Sequence, residues 1–501
     1  MVLRFAGFEL DRQRAELRRP DGQAIKLRPK TFGVLNLLAA NAGRVLSKQE
    51  LMEAVWPNIH VGDDSLFQCI REIRTAVGDD QRQLIKVVSG RGYLFATEVS
   101  IDSATIATTT LGSRPPAIAV MPIAAAEIDG AVTAMAANVT TRLADGLARI
   151  ENIRVSAPQA DFVVSGELHK AERSWEARVR MTRKATGDVV WTAPVSVELE
   201  DTDVSLQQSR LAAGIGHPLA LRIGALLDAD TRPAAASRGS PPGSSNVVIE
   251  QATASIMQIS RERFATAQTM LEKALAGDPD SVDLAVSLAA LQLRGIQMVW
   301  YGPAECAAAQ ASVKSILERA LQIKPHSIPV LEAYCRFLNA TNEFAESLVA
   351  CARTLNFDPW NGLALYHLGL GQIQLGRFED ALATFKLADS FDTPQVSRWT
   401  WRLGAGWTCL LMGRSAEALP WLHGSIAITP ASGRSYMLLA AAYQDLGQPA
   451  EAKAAMEKAL ALRPGSNLSN VALPRKNASP IYLAESDRLL MAFVTAGLPE
   501  H

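Results

Sequence analysis

The sequence is short of several things, and each absence narrows its class. Its 501 residues hold no run of about 18 uncharged apolar residues, the length a helix needs to cross a bilayer. The nearest approach, AIAVMPIAAAEIDGAVTAMAA (117–137), is interrupted by Glu127 and Asp129. The first residues, MVLRFAGFELDRQRAELRR, carry charge throughout and lack the apolar core of a signal peptide. No membrane span is expected, and a cytoplasmic location is. The five cysteines (Cys69, Cys306, Cys335, Cys351 and Cys409) are scattered without a C-x-x-C pair, which suits reduced, packed thiols. The seven histidines show no metal-ligand spacing. H-E-x-x-H, G-x-S-x-G, a phosphate-binding P-loop and a Cys/His nucleophile set are all missing. No catalytic residue, metal or cofactor is assigned, and an enzyme is not expected. Acidic pairs such as Asp278 and Asp280 read as solvated turn residues.

What is present points to a soluble multidomain protein: 48% apolar and 20% charged residues, in a chain too long for one core. Net charge is −1, but residues 1–100 hold 15 Lys+Arg against 12 Asp+Glu, a net of +3 that leaves −4 for the rest. A polyanion would therefore bind at the N-terminal end. Two segments poor in apolar periodicity and rich in small residues and proline, 100–116 and 230–246, read as linkers. The chain then divides into 1–99, a middle block 117–229, a helical block 247–475 and a capping helix or tail at 476–501.

The helical block repeats. Prolines close helical segments at Pro325, Pro359, Pro394, Pro430 and Pro464, at spacings of 34, 35, 36 and 34 residues. That is the period of the two-helix tetratricopeptide repeat. GRFEDALATF, GRSAEALPWL and GQPAEAKAAM each place a glycine at a turn, a small residue five later and a large apolar one four after that. Five to six repeats are expected, with an insertion or a missed phase in the 46 residues between Pro279 and Pro325. Such solenoids present a concave surface to a protein or peptide partner. Trp399, Trp401, Trp407 and Trp421 read first as packing, with a ligand-lining patch as the alternative. The middle block combines a buried strand at 117–123, a helix at 137–150, alternating strands around KATGD and a last helix at 203–227, which makes a small α/β domain.

In the first block, strands RFAGFEL and AELRR, a PDG turn and QAIKL form a small antiparallel sheet. A helix follows from Pro29, with Gly43 as its C-cap. A second starts at Ser47 through an S-x-x-E capping box with Glu50. The third begins near Ser65 with S-x-x-Q. Leu66, Ile70, Ile73 and Val77 face its core, leaving Gln68, Arg71, Glu72 and Thr75 outward and Arg74 to one side. Arg can pair with guanine edges and Gln with adenine in a major groove. QLIKVV-SGRG-YLFA then forms a hairpin. A strand follows its glycines where a phosphate cradle would need a helix, so SGRG is a hairpin tip bearing Arg91, with Lys86 alongside and Tyr93 packed at its root. Three helices and a hairpin make a winged helix.

Residues 4–99 resemble the OmpR/PhoB-type winged-helix DNA-binding domain, through LRPKTFGVLNLLAANAGRVLSKQELMEAVW, SLFQCIREIRTAVGDD and the wing LIKVVSGRGYLF. The resemblance implies that Ser65, Gln68, Cys69, Arg71, Glu72 and Thr75 line the base-facing helix 65–77, while Arg74, Lys86 and Arg91 meet backbone or groove from that helix and the wing 84–95. It also implies that loop 57–64 touches RNA polymerase. Glu72 among few cations implies modest affinity, so a homodimer on DNA or a further partner is expected to be needed. With the winged helix starting at residue 4, no receiver domain and no phosphorelay input are expected. The middle block (PPAIAVMPI…LADGLARIENIRV) is similar to the TolB-N-like module, and the whole resembles CadC/HilA-like one-component transcriptional regulators of a branch without a membrane helix. The resemblance thus implies a multidomain α+β chain: winged helix-turn-helix, small α/β middle domain and all-α tetratricopeptide-repeat solenoid, with double-stranded DNA and a protein or peptide as partners. The alternative function is a repeat-based adaptor whose winged helix binds protein instead of DNA.

Overall fold

The computed structural model describes residues 2–500 except 12–15, 20–22, 26, 41, 43–44, 47, 56–62, 80, 89–91, 98–99, 103–114, 128, 200–202, 231–247, 250–260, 298–300 and 472–473. The expected PDG turn, the caps Gly43 and Ser47, most of loop 57–64, Arg91 and most of both linkers lie outside the described residues. Two compact units form, 1–114 and 115–501.

In the first unit RFAGFEL is not one strand. β1 (Val2–Phe5) and β2 (Phe8–Asp11) form a hairpin, because Ala6 and Gly7 both take positive φ, 46° and 83°. Two successive residues of that kind make the tight turn whose twist matches paired strands. β3 (Glu16–Arg18) and β4 (Ala24–Ile25) extend this sheet. Three helices follow: α1 (Pro29–Ala40), α2 (Lys48–Val55) and α3 (Asp63–Val77). Between the first two, β5 (Val45–Leu46) was not anticipated. It pairs with β7 (Gly92–Phe95), which pairs in turn with β6 (Ile85–Val88). The antiparallel register from Ile85↔Phe95 to Val88↔Gly92 shows the expected pairing of these two strands. The linker expected from Ser100 begins later, since β8 (Ser100–Asp102) pairs antiparallel with β1 and closes the five-stranded sheet. Phe5, Leu35, Leu38, Leu66, Ile73, Tyr93 and Phe95 fill the core.

The second unit opens with β9 (Ala117–Val120), β10 (Ala124–Ala125) and α4 (Gly130–Leu147). This helix starts seven residues before the expected 137, because the Asp129 side chain accepts from the Ala131 N–H at 2.8 Å and caps it. β11 (Arg154–Val155) and β12 (Phe162–Lys170) flank β9 in parallel. β13 (Ser174–Arg183) and β14 (Val189–Glu198) complete an antiparallel meander, and α5 (Val204–Asp230) lies over it.

The solenoid follows as α6 (Arg261–Gly277), α7 (Val282–Gln297), α8 (Pro303–Ile323), α9 (Ile328–Ala340), α10 (Phe344–Phe357), α11 (Gly362–Gln374), α12 (Phe378–Phe391), α13 (Arg398–Leu411), α14 (Ser415–Ile428), α15 (Gly433–Asp445), α16 (Pro449–Leu462) and α17 (Pro480–Thr495). The turn glycines Gly376, Gly413 and Gly447 have φ of 75°, 70° and 71°, where a side chain would be strained. The small residues Ala381, Ala418 and Ala452 are fully buried, and Phe385 fits between Gly369 and Gly404, where a Cβ would come within 2.6 Å of its ring. The long gap before Pro325 contains no additional element among the described residues. Helices α7 and α8 simply run to 16 and 21 residues, against 13 and 14 in the next pair. Trp401 and Trp407 are buried at 0% and 6% exposure, as packing requires.

Middle module and solenoid share one core. Trp360, at the α10–α11 turn, is 3% exposed and packs against α4 and α5 at Gly146 and Gly216, where a Cβ would lie 2.0 and 2.5 Å from the indole. Along α5, Asp228 meets His326 at 3.1 Å, His217 meets Asp358 at 2.5 Å and Arg210 meets Asp392 at 4.0 Å. Those three partners sit in successive inter-repeat turns, so one helix braces three repeats.

Candidate nucleic-acid interface

Helix α3 is amphipathic, and its burial sorts the candidate residues. Leu66, Ile70, Ile73 and Val77 are buried as their spacing predicts. Gln68, Arg71 and Thr75 are exposed, and Ser65 is half-buried. These four share a stretch of the helix that is free of acidic side chains except Glu72. The helix starts at Asp63, so Ser65 lies within its first turn and is not its N-cap.

Three of the expected contacts are placed elsewhere. Cys69 is 4% exposed and belongs to the core, with the Thr31 hydroxyl 3.5 Å from its sulfur. It stands three residues after Leu66 and four before Ile73, and therefore on the apolar stripe. Glu72 is turned to α1. Its carboxylate accepts from Arg28 Nε at 2.6 Å, from the Arg28 backbone N–H at 3.2 Å and from the Thr31 hydroxyl at 2.9 Å. Partial burial pushes the Glu72 carboxyl up, and the Arg28 and Thr31 hydrogen bonds outweigh it, so the group sits below its ordinary value. The Arg28 guanidinium is raised in return. The expected weakening of DNA affinity by Glu72 is thus met locally, since its charge is neutralised by Arg28.

Arg74 ties the helix to the wing. Its Nη2 donates to the Ile85 carbonyl at 2.8 Å, and its Nε lies 3.9 Å from Asp79. Asp79, 4% exposed, accepts from the backbone N–H groups of Gln83, Leu84 and Ile85 at 2.6, 2.9 and 2.9 Å. This Arg74–Asp79 brace was not foreseen. It fixes where β6 leaves α3. On β6, Lys86 is exposed beside Val87, and Tyr93 on β7 is 2% exposed, the packed root of the hairpin. Arg91 and residues 57–62 lie outside the described residues.

Sequence reasoning also missed Phe67. Its ring is 46% exposed, with Lys48 Nζ 4.8 Å from the centroid. It lies one residue before Gln68 and four before Arg71, on the face that carries them. The signal was an aromatic outside the 66/70/73/77 stripe. Together these side chains offer an amide, a guanidinium, a hydroxyl and an apolar ring, which are the group types that read base edges and the thymine methyl in a major groove. Among the described residues no cluster of His, Cys, Asp and Glu could hold a metal, and no helix is long and apolar enough to cross a membrane.

Comparison with known proteins agrees with this division. Residues 22–95 match the family described as "Transcriptional regulatory protein, C terminal", and residues 433–466 match a tetratricopeptide repeat. The transcriptional regulator HilA of Salmonella typhimurium is 32% identical over 80 residues, which cover 16% of this chain and 14% of HilA. The regulatory protein CutR of Streptomyces coelicolor is 35% identical over 97 residues, 18% of this chain and 42% of CutR. The phosphate regulon regulator PhoB of Pseudomonas aeruginosa is 28% identical over 79 residues, 16% of this chain and 34% of PhoB. The matched region thus spans less than half the length of each of these relatives. Among solved structures, the DNA-binding domain of E. coli CadC is 27% identical, with 20% of this chain and 94% of that one covered and a TM-score of 0.19. TTC0263, a tetratricopeptide-repeat protein of Thermus thermophilus, is 18% identical over 41% of this chain and 99% of that one, with a TM-score of 0.31.

The chain therefore joins a winged-helix unit, an α/β module and a helical-repeat solenoid. Its N-terminal domain is of the OmpR/PhoB type found in transcriptional regulators, and its C-terminal half, a solenoid of paired helices, includes a tetratricopeptide repeat at residues 433–466.

Proposed function

We propose that the chain is a cytoplasmic, sequence-specific DNA-binding transcriptional regulator. The reading rests on one observation above the others: Gln68, Arg71 and Thr75 project from one exposed face of α3, while Arg74 and Asp79 brace that helix to the hairpin. In this reading α3 lies in a major groove, with Arg71 on a guanine edge and Gln68 on an adenine edge. Lys86 contacts phosphate or the adjacent groove, and Arg91, three residues beyond Val88 in the sequence, does the same. Operator DNA lies in the bacterial cytoplasm, which sets the location. The segment 57–64 meets RNA polymerase, two copies bind one operator, and the repeats receive a protein or ligand signal. Selection of bound sequences from random DNA, followed by mobility shift, tests the reading. It expects one recurrent motif, bound with an affinity that falls steeply with salt. Failure of selection to converge would refute it.

A further inference from the structure

Glu72 places a carboxylate beside the residues of α3 read as base contacts. It follows Gln68 by four residues and precedes Thr75 by three, so it borders both on the helix surface. DNA phosphates repel a carboxylate so placed unless a cation is fixed on it. That cation is Arg28, the residue before α1. Its Nε donates to Glu72 Oε2 at 2.6 Å, with Nη2 2.5 Å from the same oxygen, and its backbone N–H donates to Oε1 at 3.2 Å. The Thr31 hydroxyl holds the carboxylate from the first turn of α1 at 2.9 Å. Main chain and guanidinium of Arg28 are both anchored, yet the side chain stays 62% exposed. A guanidinium carries five N–H donors in a planar fork, and among the described residues the Nη1 edge of Arg28 has no partner. That edge can take a phosphate while the other keeps the carboxylate.

Position selects the ligand. A major groove is about 12 Å wide and a helix with its side chains about 10–12 Å across, so a helix lying in the groove has a phosphate backbone along each flank. Glu72 marks one flank of α3. Phe67, five residues earlier, lies about 140° around the helix and marks the other. Exposed Lys48 stands 4.8 Å from the Phe67 ring. Each flank therefore carries a cation brought from outside α3, and on the α1 side that cation is Arg28. An exposed ion pair that only tied α1 to α3 would add little to stability in water.

We infer that Arg28, oriented by Glu72, clamps a phosphate of the DNA backbone beside α3. The inference rests on the proposed seating of α3 in a major groove and adds a backbone contact that the sequence did not assign. Glu72 is then a positioning residue, which touches no DNA and acts through Arg28. The bases are left to Gln68 and Arg71, and the clamp fixes how α3 sits against them.

The test is mobility shift of the full chain across a salt series, on a duplex carrying the selected motif and on a random-sequence duplex. Arg28→Gln should weaken binding to both about tenfold and make the fall of log affinity with log salt shallower by about one, with the motif unchanged. An unchanged slope would overturn the clamp, and so would an altered motif, which would make Arg28 a base reader. Glu72→Gln separates positioning from repulsion. In the Arg28→Gln background it removes a bare carboxylate and should strengthen binding about threefold. In the natural chain it also releases Arg28, so no gain is expected there, and equal gains in both backgrounds would overturn the inference. Thermal unfolding confirms that each variant is folded. The random duplex separates the clamp from the reading beneath it. A shallower slope for Arg28→Gln without motif preference in the natural chain would sustain the clamp and sink sequence-specific recognition. Motif preference with an unchanged slope would do the reverse, and no binding to either duplex would sink both.

Discussion

Asp79→Ala is expected to loosen the winged helix from the inside. The carboxylate accepts three successive backbone N–H groups, those of Gln83, Leu84 and Ile85, and lies within 3.9 Å of Arg74. Hydrogen bonds to a charged group contribute about 1.5–3 kcal/mol each, and a buried donor left unpaired costs about 1–3 kcal/mol. The three bonds are not independent, because one side chain makes them all, so their loss is well below the simple sum. About 3–5 kcal/mol is expected, a large part of the roughly 5–15 kcal/mol that holds a typical domain folded. Asp79→Asn keeps one acceptor oxygen and turns an amide donor toward the other side, so about half that loss should follow. Hydrogen exchange read by mass spectrometry on the full chain is the assay, on peptides spanning residues 83–96. Protection there should fall in Asp79→Ala by about two to three and a half orders of magnitude, at about 1.4 kcal/mol per order, with the solenoid peptides unchanged. Unaltered protection at Gln83–Ile85 would refute the reasoning, because it would mean that the carboxylate does not hold the start of β6.

Three further outcomes follow from the geometry. Phe67→Ala should relax preference for thymine at one operator position. Replacing that thymine by uracil, which removes only the methyl, should weaken the natural protein by about 1 kcal/mol and the variant not at all; equal losses in both would exclude the contact. Gly146→Ala puts a methyl on the Trp360 indole, so about 1–3 kcal/mol of stability should be lost from the second unit, read by urea unfolding. Combining it with Trp360→Leu should recover part of that loss, and strict additivity would disprove the clash. Burial and the Arg336 charge lower the His367 imidazole from 6.5 to about 3. The unfolded chain then binds the proton that the folded chain refuses, so stability present above about pH 6.5 is lost as pH falls toward 3, at up to ~1.4 kcal/mol per pH unit. His367→Gln should flatten that slope in urea titrations across pH 4–6.5, and an unchanged slope would refute the assignment.

How much the sequence disclosed depended on whether the deciding contact was local. The α3 stripe is a matter of spacing within one helix, and it was legible. By the same spacing Cys69 belonged to the core, but the small stripe of four larger residues hid it. Glu72 could not be placed from its own helix, because Arg28 and Thr31 reach it from about 40 positions away. Arg74 looked like a groove contact until Ile85 and Asp79 appeared as its partners. In the solenoid the Gly–small–large pattern repeats because every helix pair meets the same neighbours, so one repeat predicts the next. Where the period broke, before Pro325, the cause was longer helices, which leave the pattern intact but shift its phase. The α5 brace was invisible, since its three partners lie one per repeat and only stacking aligns them.

Genome-wide mapping of bound DNA by chromatin immunoprecipitation tests the central claim most directly. Discrete sites sharing one sequence motif are predicted for the natural chain, with occupancy and motif both lost in Arg71→Ala at unchanged protein level. Absence of discrete sites, or an identical map from Arg71→Ala, would contradict sequence-specific recognition through α3.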